Sequence, residues 1–264
     1  MRSDERNEET TLSPRPGMIA RVSDVLGTFT PDEPVLRVSE IARRTGLAKS
    51  VTSRIVADLI AEDFLERADR GVRVGIRMFE LGELAQRSKE LRQLALSAMA
   101  DLRQATGLTV QLSVLQGTDQ VYVEILQGRV AKIDIRSRIG GRVPAYATAG
   151  GKAVLSHSEP HVVDRALSVP LKPLGPGTVT DEHALRQQIQ RARDEGIAFE
   201  IEESNPGVTC AACAMLRPDG TPIGAISATG AVGEVDLAHV GPAVKMAALS
   251  LNRRIRTNRV FHSL

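Results

Sequence analysis

Residues 36–67 read LRVSEIARRTGLAKSVTSRIVADLIAEDFLER, and their spacing decides the fold of the first part of the chain. Ser39 is placed to cap a helix over about Glu40–Thr45, with Ile41 and Ala42 facing inward. Gly46 supplies a left-handed turn. A second helix then runs from about Ala48 to Glu62, with Val51, Ile55 and Leu59 repeating every four residues as its buried stripe. Phe64–Arg67 and Val72–Val74 flank Asp69-Arg70-Gly71, a turn sequence that joins two strands in a hairpin. Upstream, Met18, Val22, Leu26 and Phe29 line one helical face, and Thr30-Pro31 ends that helix. Val35–Val38 reads as a short extended piece. Helix, helix, tight turn, helix and hairpin together make a winged helix-turn-helix over 17–75.

The charges in this stretch are one-sided. Between Ile41 and Ala57 stand Arg43, Arg44, Lys49 and Arg54 and no acidic residue. A helix pinned by its apolar stripe presents Lys49, Ser50 and Ser53 outward, with Arg54 beside them. Lys and Arg donate to guanine edges in the major groove, and small hydroxyls reach bases or phosphates. Arg43 and Arg44 suit the phosphate backbone, which sets register. Arg67, Arg70 and Arg73 decorate the hairpin, and Arg70 at its tip fits a narrow minor groove. Each of those three, taken singly, also fits an ordinary solvated charge. Double-stranded DNA is the partner this pattern implies.

Composition sets the frame. The 264 residues are 42% hydrophobic and 25% charged, with net charge +2, room for two modest domains. Trp is absent and aromatic residues make up 3%, which argues against stacking on single strands as the main business. Two cysteines build no disulfide framework. The start, Met1-Arg2-Ser3-Asp4-Glu5-Arg6, has no apolar segment of a secretory signal, and no stretch is apolar for long enough to span a bilayer, so a cytoplasmic protein without membrane contact is expected. Residues 1–16 are expected to form a disordered arm.

Beyond the hairpin, residues 76–90 read as a linker helix. A longer helix covers about 91–105, with Leu91, Leu94, Ala95, Ala98 and Leu102 on one face. Val110–Leu115 and Val121–Leu126 form a hairpin about Gly117-Thr118-Asp119, and Lys132–Arg136 reads as a third strand. Ala149–Ser156, Glu159–Ser168 and Asp181–Glu195 read as helices, the first opened by a Gly-rich turn. Val208–Leu216 and Pro222–Thr229 form another hairpin, and a helix over about Asp236–Arg256 closes the chain. Antiparallel strands covered by helices make an α+β domain over 91–264. Ser227 and Thr229 point to one face of their strand. The N–H groups at Gly150-Gly151 suit a carboxylate.

Three segments together resemble the IclR family of bacterial transcriptional regulators: residues 36–50, after which this chain has Val51-Thr52 where the family commonly has Thr-Val; Gly141–Ala153 (GRVPAYATAGGKA); and Glu202–Cys210 (EESNPGVTC) with Gly224–Gly230 (GAISATG). The resemblance runs from about 17 to 255. It implies a GAF-like effector domain, a small and often acidic metabolite as effector, and a homodimer or dimer of dimers. It places the effector site on Ala149, Gly150, Glu200, Cys210, Ser227 and Thr229. Glu200 stands where Asp is usual and Thr229 where Ser is usual, so a differently shaped pocket is expected. Thr52 joins Lys49, Ser50, Ser53 and Arg54 in the DNA-facing set.

Other chemistries fit less well. Cys210-Ala211-Ala212-Cys213 is a CxxC without a second pair, and residues three apart on a strand face opposite ways, so neither zinc nor a redox pair is expected. Gly150-Gly151-Lys152 lacks the leading glycine and the trailing Ser or Thr of a phosphate-binding loop. No G-x-S-x-G elbow occurs. No metal, no cofactor and no catalytic residue is therefore expected. Two alternatives stay open: an enzyme with Cys210 as nucleophile, and a ligand sensor acting only on protein partners.

Overall fold

The computed structural model describes residues 17–129 and 137–258, with 86–88 as backbone only. The expected arm at 1–16 and the expected strand Lys132–Arg136 lie outside them. The chain divides into two compact units at Gln86/Arg87.

In the first unit, α1 (Met18–Leu26), α2 (Val38–Thr45) and α3 (Lys49–Ala61) precede β1 (Leu65–Ala68), β2 (Gly71–Val74) and α4 (Ile76–Glu83). Val25, Phe29, Leu36, Ile41, Ile55, Val56, Leu59, Leu65 and Val72 form one core. Gly46 is left-handed at φ 69° and turns α2 into α3. Leu36 pairs with Val72 through two backbone hydrogen bonds of 2.8 and 2.9 Å, which lays the expected extended piece against β2. That approach leaves no space for a side chain at Gly71, where a Cβ would stand 2.2 Å from the Leu36 carbonyl.

Two expectations need correction. Ser39 is not the cap: α2 begins at Val38, its N-cap is Arg37, and no side chain caps it. Val38 packs against the core and draws the helix start forward. The helix expected over 76–90 is also two pieces. α4 ends at Glu83 and α5 runs Gln86–Thr106. α4 buries no side chain, whereas Leu91, Leu94, Ala95, Ala98, Met99 and Leu102 hold α5 to the core of the second unit.

That second unit is built on an antiparallel sheet of order β5-β4-β3-β8-β7-β6. Its strands are β3 (Thr109–Gln116), β4 (Asp119–Leu126), β5 (Arg142–Pro144), β6 (Ala198–Ile201), β7 (Val208–Leu216) and β8 (Pro222–Ala231). One face carries α5 and α9 (Leu237–Thr257) over Val110, Leu112, Ala211, Cys213, Met215, Ile226 and Ala228. The opposite face packs α6 (Ala149–Leu155) and α8 (Glu182–Glu195) against Ala198, Cys210, Ala212 and Ala225. Between them α7 (Pro160–Leu167) and a 3-10 turn at Ala145–Ala147 share a smaller core with Leu185 and Ile189. Strands β5 and β6 were not foreseen; both are short edge strands, which carry little periodic signal.

Candidate DNA-facing helix and ligand pocket

On α3 the buried residues are Thr52, Ile55, Val56 and Leu59. Lys49, Ser50, Ser53 and Arg54 are all exposed and share the other side. Val51 is only half-buried, so the stripe is rotated from the one read in the sequence. The rotation removes Thr52 from the DNA-facing set. Its side chain is fully buried, and its hydroxyl donates to the Ala48 carbonyl at 3.2 Å, inside the helix.

Arg44 is half-buried and tied within the unit. Its guanidinium donates to Glu40 and to Glu33 at 2.8 Å and to the Thr28 carbonyl at 3.2 Å, tying α2 to the chain before it. Arg43 is exposed and pairs with Glu40 at 2.7 Å. Glu40 accepts from both arginines, and those bonds hold its carboxyl down at about 2. Arg70 is exposed at the hairpin turn, and Arg73 pairs with Glu66 across it.

In the second unit, a pocket of about 50 Å³ opens on the α6 face of the sheet. Gly150, Glu200, Cys210, Ser227 and Thr229, five of the six expected residues, line it. Ala149 does not. Its methyl packs in the core beneath α6, while its N–H donates to Glu200 Oε2 at 3.1 Å. Close approach, not a turn, marks Gly150 and Gly151, since both lie inside α6: at 150 the end of the Gln120 side chain stands in the way of a side chain, and at 151 backbone does. A Cβ would meet the Gln120 amide at 2.0 Å and the Ala145 carbonyl at 2.2 Å, respectively. The helix cap is Thr148, whose hydroxyl accepts from Gly151 N at 3.0 Å.

Glu200 is held on both oxygens. Besides Ala149, the Ser204 N–H donates at 2.9 Å and the Ser204 hydroxyl donates as well. Burial raises its pKa, against the pull of these bonds and of the Lys152 charge. The Thr229 hydroxyl lies 3.1 Å from Cys210 Sγ. Burial, helped by the Glu200 charge, pushes the Cys210 thiol up to about 12, so it is no thiolate and no ready nucleophile. Cys213 packs on the other face of the sheet, as its spacing from Cys210 requires.

Sequence reasoning missed Gln111, Gln120, Tyr122 and Ser204, which also line the pocket. A signal was available: polar Thr109, Gln111 and Ser113 alternate with Val110, Leu112 and Val114, a period of two that puts the polar set on one face. Among the described residues, no three His, Cys, Asp or Glu side chains are placed to hold a metal. No described helix is long and apolar enough to cross a membrane.

Family models place these units. Residues 18–69 match the IclR helix-turn-helix domain, and residues 84–253 match the bacterial transcriptional regulator IclR C-terminal domain. The HTH-type transcriptional regulator XynR of Escherichia coli is 28% identical over 243 residues, covering 90% of this chain and 96% of that protein. The HTH-type transcriptional regulator Rv1719 of Mycobacterium tuberculosis is 32% identical over 226 residues, 83% of this chain and 84% of that one. A crystal structure of an IclR homolog from Microbacterium hydrocarbonoxydans, complexed with 4-hydroxybenzoate, superposes with a TM-score of 0.80 at 32% identity, covering 92% of this chain and all of that one.

Proposed function

The chain belongs to the IclR family of bacterial transcriptional regulators, and from that premise we propose how its residues divide the work. The outer edge of α3 enters a major groove, where Lys49, Ser50, Ser53 and Arg54 meet base edges and phosphates. Arg43, Arg70 and Arg73 contact the backbone or an adjacent minor groove. The observation that carries this reading is the sorting on α3: these four side chains are exposed together while Thr52, Ile55, Val56 and Leu59 hold the helix from behind.

The pocket lined by Gly150, Glu200, Cys210, Ser227 and Thr229 takes the effector, a small organic acid of the general kind bound by the Microbacterium relative. A second copy of the chain completes the regulator, as a dimer or dimer of dimers in the cytoplasm. The exposed apolar side chains Ile19, Ile76, Phe79 and Leu84 support self-association. Two α3 helices then meet half-sites about one helical turn, or a multiple, apart. The acid controls DNA binding through its unequal affinity for two arrangements of the protein.

The test is fluorescence anisotropy on the DNA upstream of the protein's own reading frame. Arg54→Ala weakens specific binding by about 1–3 kcal/mol and relaxes the sequence preference. Ser227→Phe keeps DNA binding and removes the response to acid. Unchanged affinity and preference in the first variant, or a surviving response in the second, contradicts the corresponding assignment.

A further inference from the structure

Two glutamines form the polar wall of the pocket. Gln111 on β3 is buried, and its Oε1 accepts from Thr229 Oγ1 at 3.0 Å and from Ser227 Oγ at 3.3 Å. Its Nε2 donates to Ser137 Oγ at 2.5 Å. A hydroxyl has one proton to give. Ser227 directs its proton at Gln111, and Thr229 directs its own at Gln111 or at Cys210 Sγ 3.1 Å away, so both oxygens keep lone pairs for anything else that enters.

Gln120 on β4 is 2% exposed. Its Nε2 donates to the Ser113 hydroxyl, and its Oε1 has no partner among the described residues. The amide is confined from behind by the α6 backbone, where a single added carbon at Gly150 would stand 2.0 Å from it. A buried amide oxygen without a donor is unfavourable and uncommon. A ligand that supplies the donor recovers that loss.

This wall therefore offers acceptors: the Gln120 carbonyl and two hydroxyl oxygens. Glu200, whose oxygens are already occupied, adds no donor. The geometry points to Gln111 and Gln120 as specificity-determining residues that select, among small organic acids, those carrying a hydroxyl or N–H donor apart from the carboxylate. The inference rests on the pocket being the effector site and adds which acids it takes. A site with buried polar groups discriminates against an analogue that leaves them unpaired.

Calorimetric titration of the full-length protein with matched pairs, 4-hydroxybenzoate against benzoate and lactate against propionate, reads this selection. In the unaltered protein the hydroxylated member of at least one pair binds about tenfold tighter or more. Gln120→Met, similar in volume but without the acceptor, reduces that preference to about twofold or less. Gln111→Met provides a second reading should circular dichroism show the first variant unfolded. Equal affinities within both pairs, or a preference that survives in both variants, overturns the selection and leaves the pocket assignment standing. Binding of none of the four acids by the unaltered protein overturns both.

Discussion

The Lys152 ammonium lies 2.6 Å from Glu203 Oε1, and the two side chains are only 2% and 6% exposed. Gln188 Oε1 accepts from the same ammonium at 3.1 Å. The pair fastens α6, which carries Gly150, to the segment that carries Ser204. One partner without the other leaves a charge buried, a loss of about 3–5 kcal/mol. Lys152→Met is accordingly expected to lower unfolding stability by about that much, and adding Glu203→Leu to recover most of it. Urea melts of the two variants check this; a single variant within about 1 kcal/mol of the unaltered protein would refute it.

Both cysteine thiols sit at about 12, raised chiefly by burial. At pH 8 almost no thiolate exists, and iodoacetamide needs thiolate. The native protein should resist alkylation at both positions over a time in which the urea-unfolded protein reacts fully, read by mass spectrometry. Rapid native modification of Cys210 would reopen its role as a nucleophile.

Glu40 reports on the first unit through its titration. Its bonds to Arg43 and Arg44 lower the carboxyl from 4.5 to about 2. A depressed folded-state pKa stabilises above the unfolded value, and that contribution is lost as pH falls through the folded value. The difference in melting temperature between the unaltered protein and Glu40→Gln should therefore be full above pH 4.5, shrink below it, and vanish near pH 2. A difference independent of pH would rule out the charge as its source.

Two glycines should respond to alanine in opposite directions. At Gly151 the added methyl meets the Ala145 carbonyl, so α6 must move. Gly151→Ala is expected to destabilise by about 1–3 kcal/mol and to weaken acid binding. At Gly82, in α4, nothing lies within 4 Å of the added carbon, and Gly82→Ala should stabilise by about 0.5–1 kcal/mol. Thermal melts of both variants test the contrast.

The first unit was largely legible because its signals are local. Gly46 marks the turn, and the period of α3 and the turn residues of the hairpin lie within a few positions of the structures they specify. The failures there have local causes of another kind. Thr52 is amphipathic: its methyl can be buried while its hydroxyl bonds the preceding helical turn, so a polarity pattern places it on the wrong side. The ties of Arg44 were not legible locally because one of its partners, Glu33, comes from outside the helix.

For the second unit, residues read singly indicated two hairpins and a helix over about Asp181–Glu195, all settled by nearest neighbours. They did not show that Gln111 and Gln120 meet Ser227 and Gly150. That depends on β3 lying between β4 and β8, and on a bulge that leaves Val123 unpaired and turns Tyr122 onto the pocket face. Amphipathic period, turn chemistry and charge are written into adjacent residues, so the primary structure alone determined the helix-turn-helix and its basic edge. Which polar groups share a cavity is set by strand order and register across more than a hundred residues, and only the folded chain decided that.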